Sequence, residues 1–333
     1  MKALRKQSTS PKDVRVQEHP KPDPAPGELL VQTLACGLCG SDVHAWRQDT
    51  GYEWVHCPVT LGHEAVGVVV GTGAGTDSQW IGQRIVPIAI DGCASCDLCR
   101  RGTRQLCLDR TVLGLSFDGA AADLFSIPEY RAVPVNNELP AAVLALTEPL
   151  SVALRAVTRL EQSIPAQARV MVSGPGPIGL MAALLLNQRG HRVTLLGASR
   201  DEEQRLPLAR LLGLGTILAE DVTPGGLHGW LEASGAAQAL SSAVANIDPG
   251  GTIVVAGLFP SIPTVDINVL ARNEIQLIGS YGSVALDYRN ALAALEAAPD
   301  MWASLVTTFP LTEGTRALQA AADAEAVKVV LLP

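Results

Sequence analysis

Residues 171–186 read MVSGPGPIGLMAALLL, and the order of residue types there decides how the second half of the chain folds. A β-like run ends in Gly174-Pro175-Gly176-Pro177-Ile178-Gly179 and passes directly into an apolar helical stretch. In a G-x-G-x-x-G turn, the first glycine permits the tight bend and the second lets the backbone approach a pyrophosphate. The third lets helix pack on strand, and the helix N-terminus attracts phosphate charge. The spacing alone is weak evidence; its strand–turn–helix setting makes it a dinucleotide-site motif.

Working outward, strands and helices alternate from about residue 150: the helical run Ile178 to Arg189, the strand RVTLL, a helical stretch Asp201 to Leu212, then TIL, WLEAS, AAQALSSAVANI, TIVVAG and IQLIGS. Such alternation predicts a parallel, doubly wound sheet. Residues 1 to about 149 differ, with short β-branched runs such as ELLVQTLA and EAVGVVVG between Pro- and Gly-rich turns. They predict an irregular β domain. The last 45 or so residues hold two helical patterns and an apolar run, VKVVLLP.

The 333 residues suffice for two cores, and 47% apolar against 17% charged residues is a globular composition. A net charge of −8 argues against a nucleic-acid partner, which usually leaves a basic patch. The segment MKALRKQSTSPKD has no apolar signal core, and the oily stretch 170–190 is interrupted by two Gly-Pro pairs. The expectation is a cytoplasmic protein with no membrane partner.

Four of the seven cysteines, Cys93, Cys96, Cys99 and Cys107, follow C-x2-C-x2-C-x7-C. A reducing compartment and an odd cysteine total argue against disulfides. Tight C-x2-C turns bring thiolates onto one tetrahedral ion, and a lobe with almost no apolar residues needs a metal to hold its shape. Structural zinc is the favoured reading; an iron–sulfur cluster or four incidental thiols are the alternatives.

A second donor set is scattered through CGLCGSDVHAW (36–46), GHEAVG (62–67) and LTEPLSVAL (146–154). Cys39, His63 and Glu64, with Glu148 nearby, could supply three ligands to a catalytic zinc and leave a position open. A histidine on its own would more often be a satisfied core residue. Gly67 stands where a zinc protease's H-E-x-x-H would have its second histidine, so that chemistry is excluded.

G-x-C-G-S-D-x-H, G-H-E-x-x-G, the four-cysteine lobe, T-E-P-L and the dinucleotide motif follow one another in this order. The ordered set resembles the zinc-dependent medium-chain alcohol dehydrogenase family, over nearly the whole chain. The resemblance is closest to the polyol branch typified by sorbitol and threonine dehydrogenases. It implies a GroES-like catalytic domain, residues 1–149 and 288–333, and a Rossmann domain, residues 150–287. It also implies two zincs per chain and an NAD(P)-linked exchange of hydride with a secondary alcohol or ketone.

By the same resemblance, Cys39, not Cys36, joins His63 and Glu64 on the catalytic zinc, while Glu148 either ligates or holds the zinc's water. Asp42 stands where the family hydrogen-bonds the ligand histidine. Ser41 and His44 match its proton relay, and Leu258 and Ser280 match backbone bordering the nicotinamide. Cys36 and Cys57 match no role.

After the strand RVTLL the chain runs Gly197-Ala198-Ser199-Arg200, without the acid that usually binds an NAD ribose. A small residue, a hydroxyl and a guanidinium favour the 2′-phosphate of NADP; the alternative is that Asp201 still reaches the ribose. Three functional readings remain: the zinc dehydrogenase, a zinc-free enone or quinone reductase of the same superfamily, and a non-catalytic zinc-ribbon binding protein. The polar and aromatic segment AWRQDTGYEWVHC (45–57) suits a hydroxylated substrate: a polyol, cyclitol, amino alcohol or sugar-derived ketone. A homodimer or homotetramer is the family expectation.

Overall fold

In the computed structural model, which describes residues 1–136, 138–222 and 225–333, the chain divides into two compact units. Met1–Ser151 with Ser283–Pro333 form the first, and Val152–Gly282 the second. The crossing points therefore fall two residues after and five residues before those expected from the sequence.

The second unit is a six-stranded parallel sheet. Its strands are β1 (Arg169–Ser173), β2 (Arg192–Gly197), β3 (Gly215–Leu218), β4 (Leu227–Glu232), β5 (Ile247–Val255) and β6 (Gln276–Gly279). The spatial order is β3-β2-β1-β4-β5-β6, so the chain starts in the middle, winds outward one way, then returns and winds out the other. That is the doubly wound order, and it leaves a crevice at the carboxyl end of β1, where the strand order reverses. Val170 and Val172 of β1 are wholly buried, and Trp230 of β4 is buried with its Nε1 donating to Ser173 Oγ at 3.0 Å.

The helix after the glycine turn spans Pro177–Gln188, with Gly176 as its N-cap and Pro177 in its first turn. Its residues Gly179 to Leu186 are all buried, which explains a run apolar on every face instead of one stripe. The stretch 201–212 differs from expectation. It divides into a 3-10 turn, Ser199–Asp201, and a helix, Arg205–Leu211, separated by Gln204 at φ −132°. At the start of the 3-10 turn, the Asp201 carboxylate turns back to accept from Ala198 N–H at 3.0 Å, as a capping box does.

The first unit is built on a larger sheet in which Glu28–Gly37 is central. Glu64–Thr72 and Lys328–Leu332 both pair with it antiparallel, placing Glu64 opposite Gly37 and Val330 opposite the same Gly37. The strand is buried along nearly its whole length, with Leu29, Val31 and Cys36 in one core cluster and Ala35 in another. Its pairing with Glu64–Thr72 shifts register between Leu30 and Val31 and between Thr33 and Ala35. Among the described residues one helical run, Ala141–Glu161, is long and apolar enough to cross a membrane, yet 72% of its apolar window is buried inside the protein. It behaves as a core helix.

The glycine turn makes a stability prediction. A Cβ on Gly179 would sit 1.9 Å from the Gly174 carbonyl oxygen, whereas one on Gly176 would meet nothing within 4 Å. Gly179→Ala should therefore cost about 2 kcal/mol or more in denaturant unfolding, and Gly176→Ala less than about 1 kcal/mol. If Gly176 exists to admit a pyrophosphate, Gly176→Ala should still weaken nucleotide binding in a titration.

Candidate metal and nucleotide sites

Cys39 is the N-cap of a short helix, Gly40–Arg47, at the end of the central strand. Asp42 fixes that junction: its carboxylate accepts from Cys39 N–H at 2.9 Å and from Gly62 N–H at 3.1 Å. One wholly buried side chain thereby ties the loop carrying Cys39 to the turn carrying His63 and Glu64. The donor atoms of Cys39, His63 and Glu64 all lie within 4.8 Å of one another.

The surroundings are strongly anionic for so buried a place. His63, Glu64, Asp42 and Glu148 are each less than a tenth exposed. Burial alone would lower the His63 imidazole, but Asp42, Cys39 and Glu148 override it and hold the ring well above its ordinary value. Burial pushes the Glu148 carboxyl up to about 7, with Glu64 and Asp42 adding to the rise and His63 and Lys328 opposing it. A half-buried cysteine beside a buried histidine and a buried carboxylate is a donor set of the kind zinc takes, so the residues fit zinc. Glu148 stands outside the three-residue donor group.

Two placements differ from the sequence expectation. Asp42 Oδ1 lies 3.9 Å from His63 Nδ1, too far for a hydrogen bond, because both its oxygens serve backbone N–H groups. Lys328 was not foreseen as part of the site. Its ammonium forms an ion pair with Glu64 Oε2 and donates to the Leu38 carbonyl at 2.9 Å, both partners' side chains being 1% exposed. Burial would lower Lys328, yet Glu64, Cys39 and Glu148 raise it above its ordinary value. A lone lysine in the apolar run VKVVLLP was the available signal.

Ser41 Oγ sits 3.4 Å from His63 Nε2, beside the donor group. His44 follows three residues later on the same helix, where side chains at i and i+3 are neighbours. Cys36 is buried on the central strand and Cys57 lies half-buried, and neither belongs to a donor group among the described residues.

In the lobe, the sulfurs of Cys93, Cys96, Cys99 and Cys107 lie within 4.8 Å of one another. Cys96 and Cys107 are 3.7 Å apart, and Cys107 and Cys93 3.6 Å. Disulfide sulfurs would be about 2.05 Å apart, whereas four thiolates about 2.3 Å from one tetrahedral ion are about 3.8 Å apart. A cage of several irons would spread them wider. The spacing fits a single ion. A carboxylate–guanidinium pair, Asp91 with Arg104, braces the lobe's base.

In the second unit, Gly174 to Gly179 form the turn after β1, and Gly197 ends β2. Ser199 and Arg200 are exposed just beyond it, while Asp201 is only 4% exposed. Its carboxylate caps Ala198 and pairs with Arg205 at 3.6 Å, leaving it poorly placed to meet a ribose. Leu258 is 65% exposed, and Ser280 N–H donates to the Val255 carbonyl at the end of β5.

Known proteins resemble this chain along its whole length. Residues 25–137 match the alcohol dehydrogenase GroES-like domain, and residues 141–332 the glucose dehydrogenase C-terminus. A sorbitol dehydrogenase of Halalkalibacterium halodurans is 32% identical over 352 aligned positions, covering 100% of this chain and 99% of that protein. An L-threonine 3-dehydrogenase of Chromobacterium violaceum is 28% identical over 347, covering 99% of each. A solved structure from Sinorhizobium meliloti 1021, described as a zinc-binding dehydrogenase bound to NADP, superposes with a TM-score of 0.90. It is 27% identical and covers 100% of this chain and 99% of that one.

Two predictions follow from the charge and the sulfurs. Cys39→Ser should abolish turnover with little change in unfolding, whereas Cys96→Ser should lower the unfolding temperature and release one metal equivalent. In metal-free protein, Glu148 binds its proton more tightly folded than unfolded, since about 7 exceeds the ordinary 4.5. Its contribution to stability is therefore complete below about pH 4.5 and lost as pH rises through about 7. Glu148→Gln should flatten that part of the pH profile, raising stability at pH 8 relative to pH 4 in chelator-treated protein.

Proposed function

The chain belongs to the zinc-dependent medium-chain alcohol dehydrogenase family, and we propose that it interconverts a secondary alcohol and its ketone with NADP, using one catalytic and one structural zinc. The carrying observation is the buried gathering of Cys39, His63 and Glu64 beside Ser41, in a chain that also holds a dinucleotide turn. The same gathering is what a zinc-free enone reductase would have no use for.

A zinc ion held by these three residues would lower the pKa of an alcohol and polarise a ketone. The remaining steps belong to the protein. Ser41 Oγ accepts the hydroxyl proton of the substrate as its own O–H proton passes on to His44, which releases it to water, an imidazole being able to accept and release a proton near neutral pH. Asp42 keeps Cys39 and the Gly62–Glu64 turn in register. Lys328 holds Glu64, so the donor arrives already oriented. Glu148 serves as the adjustable carboxyl of the site. The glycine turn and the backbone near Leu258 and Ser280 orient the nicotinamide, and the hydride chemistry is the cofactor's.

The NADP preference rests on the exposed Ser199 and Arg200 after β2 and on an Asp201 already engaged in capping. The named relatives act on a polyol and an amino alcohol, which supports a hydroxylated secondary alcohol here, and a homodimer or homotetramer is the expected assembly. Metal analysis should return two zincs per chain. A screen of polyols, cyclitols and amino alcohols with both cofactors should find the higher kcat/KM with NADP, and Arg200→Ala should reduce it about ten- to a hundredfold for NADP alone. A higher kcat/KM with NAD, or no activity with any secondary alcohol on zinc-replete protein, would overturn the corresponding part of the proposal.

A further inference from the structure

His44 lies in the last turn of the helix Gly40–Arg47, and after that helix the chain reverses through Gln48 in a left-handed conformation. That reversal brings Asp49 back against the imidazole: His44 Nδ1 lies 2.7 Å from Asp49 Oδ2, and Asp49 N–H donates to the His44 carbonyl at 3.0 Å. The turn continues with Tyr52 N–H donating to the Asp49 carbonyl at 3.1 Å, and the Tyr52 ring lies over the His44 ring, centroids 5.0 Å apart and planes 25° from parallel. Trp54 extends the row, its ring 6.3 Å from that of Tyr52 and its Nε1 donating to the Gly51 carbonyl. The imidazole is thus held at one edge by a carboxylate and on one face by an aromatic ring, although its side chain is 44% exposed.

The geometry points to Asp49 as a positioning residue for the proton relay, with Tyr52 as the wall against which the ring is held. This rests on the reading of His44 as the relay. An ionised carboxylate has only acceptors, so the nitrogen facing it carries the hydrogen. His44 is therefore the Nδ1–H tautomer, and its free lone pair is on Nε2. A proton arriving from the Ser41 side forms an Nε2–H bond as the donor O–H bond breaks. The imidazolium is balanced by Asp49, and the same Nε2–H bond then breaks to water, regenerating the ring. In aspartate–histidine pairs of this kind the carboxylate orients the ring and balances its charge without itself taking the proton. An exposed histidine without these partners would rotate and exchange tautomers, and only a fraction would present a lone pair in the right direction.

The test uses zinc-replete full-length protein with D49N, D49E and H44Q variants. The amide of D49N can donate as well as accept, so it admits the other tautomer. D49N should lose about tenfold in kcat, with KM for the nucleotide within about twofold of the parent, and D49E should recover part of the loss. Nitrogen-15 spectra of histidine-labelled protein should show His44 protonated at Nδ1 in the parent and mixed in D49N. H44Q retaining full kcat would overturn the relay reading itself. H44Q impaired, with D49N unchanged in both kcat and tautomer, would leave the relay standing and overturn the role given to Asp49.

Discussion

Cys39, Asp42, Glu64 and Glu148 are crowded into one buried neighbourhood that offers two cationic partners, His63 and Lys328. Burying ionisable groups this close together is costly unless each is paired, and it pushes the Glu148 carboxyl up while Asp42, Cys39 and Glu148 hold the His63 ring above its ordinary value. Much of the first unit's topology can be understood as the means of assembling this charge: a central strand that ends two residues before Cys39, a neighbouring strand beginning at Glu64, and another bearing Lys328 at its start.

The two metal-binding groups differ in how they are assembled, which governs how visible each is in the sequence. The lobe's four cysteines fall within fifteen positions, and local turns suffice to bring their sulfurs together. The other group draws on residues 39, 63 and 64 and requires the pairing of Glu28–Gly37 with Glu64–Thr72 to form. Spacing alone therefore argued strongly for the first, while the second became legible only through the order of several short motifs. The doubly wound sheet was legible for a third reason: each strand and helix there is a separate apolar run bounded by turn residues, and the glycine turn marks where the winding begins.

What was not legible depended on long-range partners. Lys328 is an isolated charge in an apolar strand, and nothing near it in sequence names Glu64, 264 positions away. Asp42 was expected to hydrogen-bond His63, but it lies 3.9 Å from it and its hydrogen bonds go to backbone N–H groups, which a residue pattern does not display. The stretch LTEPLSVAL was read for its possible ligand Glu148, and in the structure it opens the helix Thr147–Glu161, with Pro149 in its first turn. A proline in the first turn removes an N–H that has no intrahelical partner, so the helix tolerates it. Asp201 is a related case: a side chain that could serve a ribose instead caps the preceding backbone.

Glu64 and Lys328 are far apart in sequence: the strand Glu64–Thr72 lies near the start of the first unit, and its buried counter-charge sits on a strand that follows the whole second unit. Without the pairing of Lys328–Leu332 with Glu28–Gly37, Glu64 would have no ammonium partner and its burial would be costly. Closing that strand excludes water and supplies the ammonium in the same event, since Leu38 N–H donates to the Val329 carbonyl while Lys328 donates back to the Leu38 carbonyl. The pair is therefore a lock on the correct register: a slip by one residue would turn Lys328 to the opposite face and leave a buried carboxylate alone. A charge that is costly to bury is tolerated here because only one arrangement of the strands neutralises it.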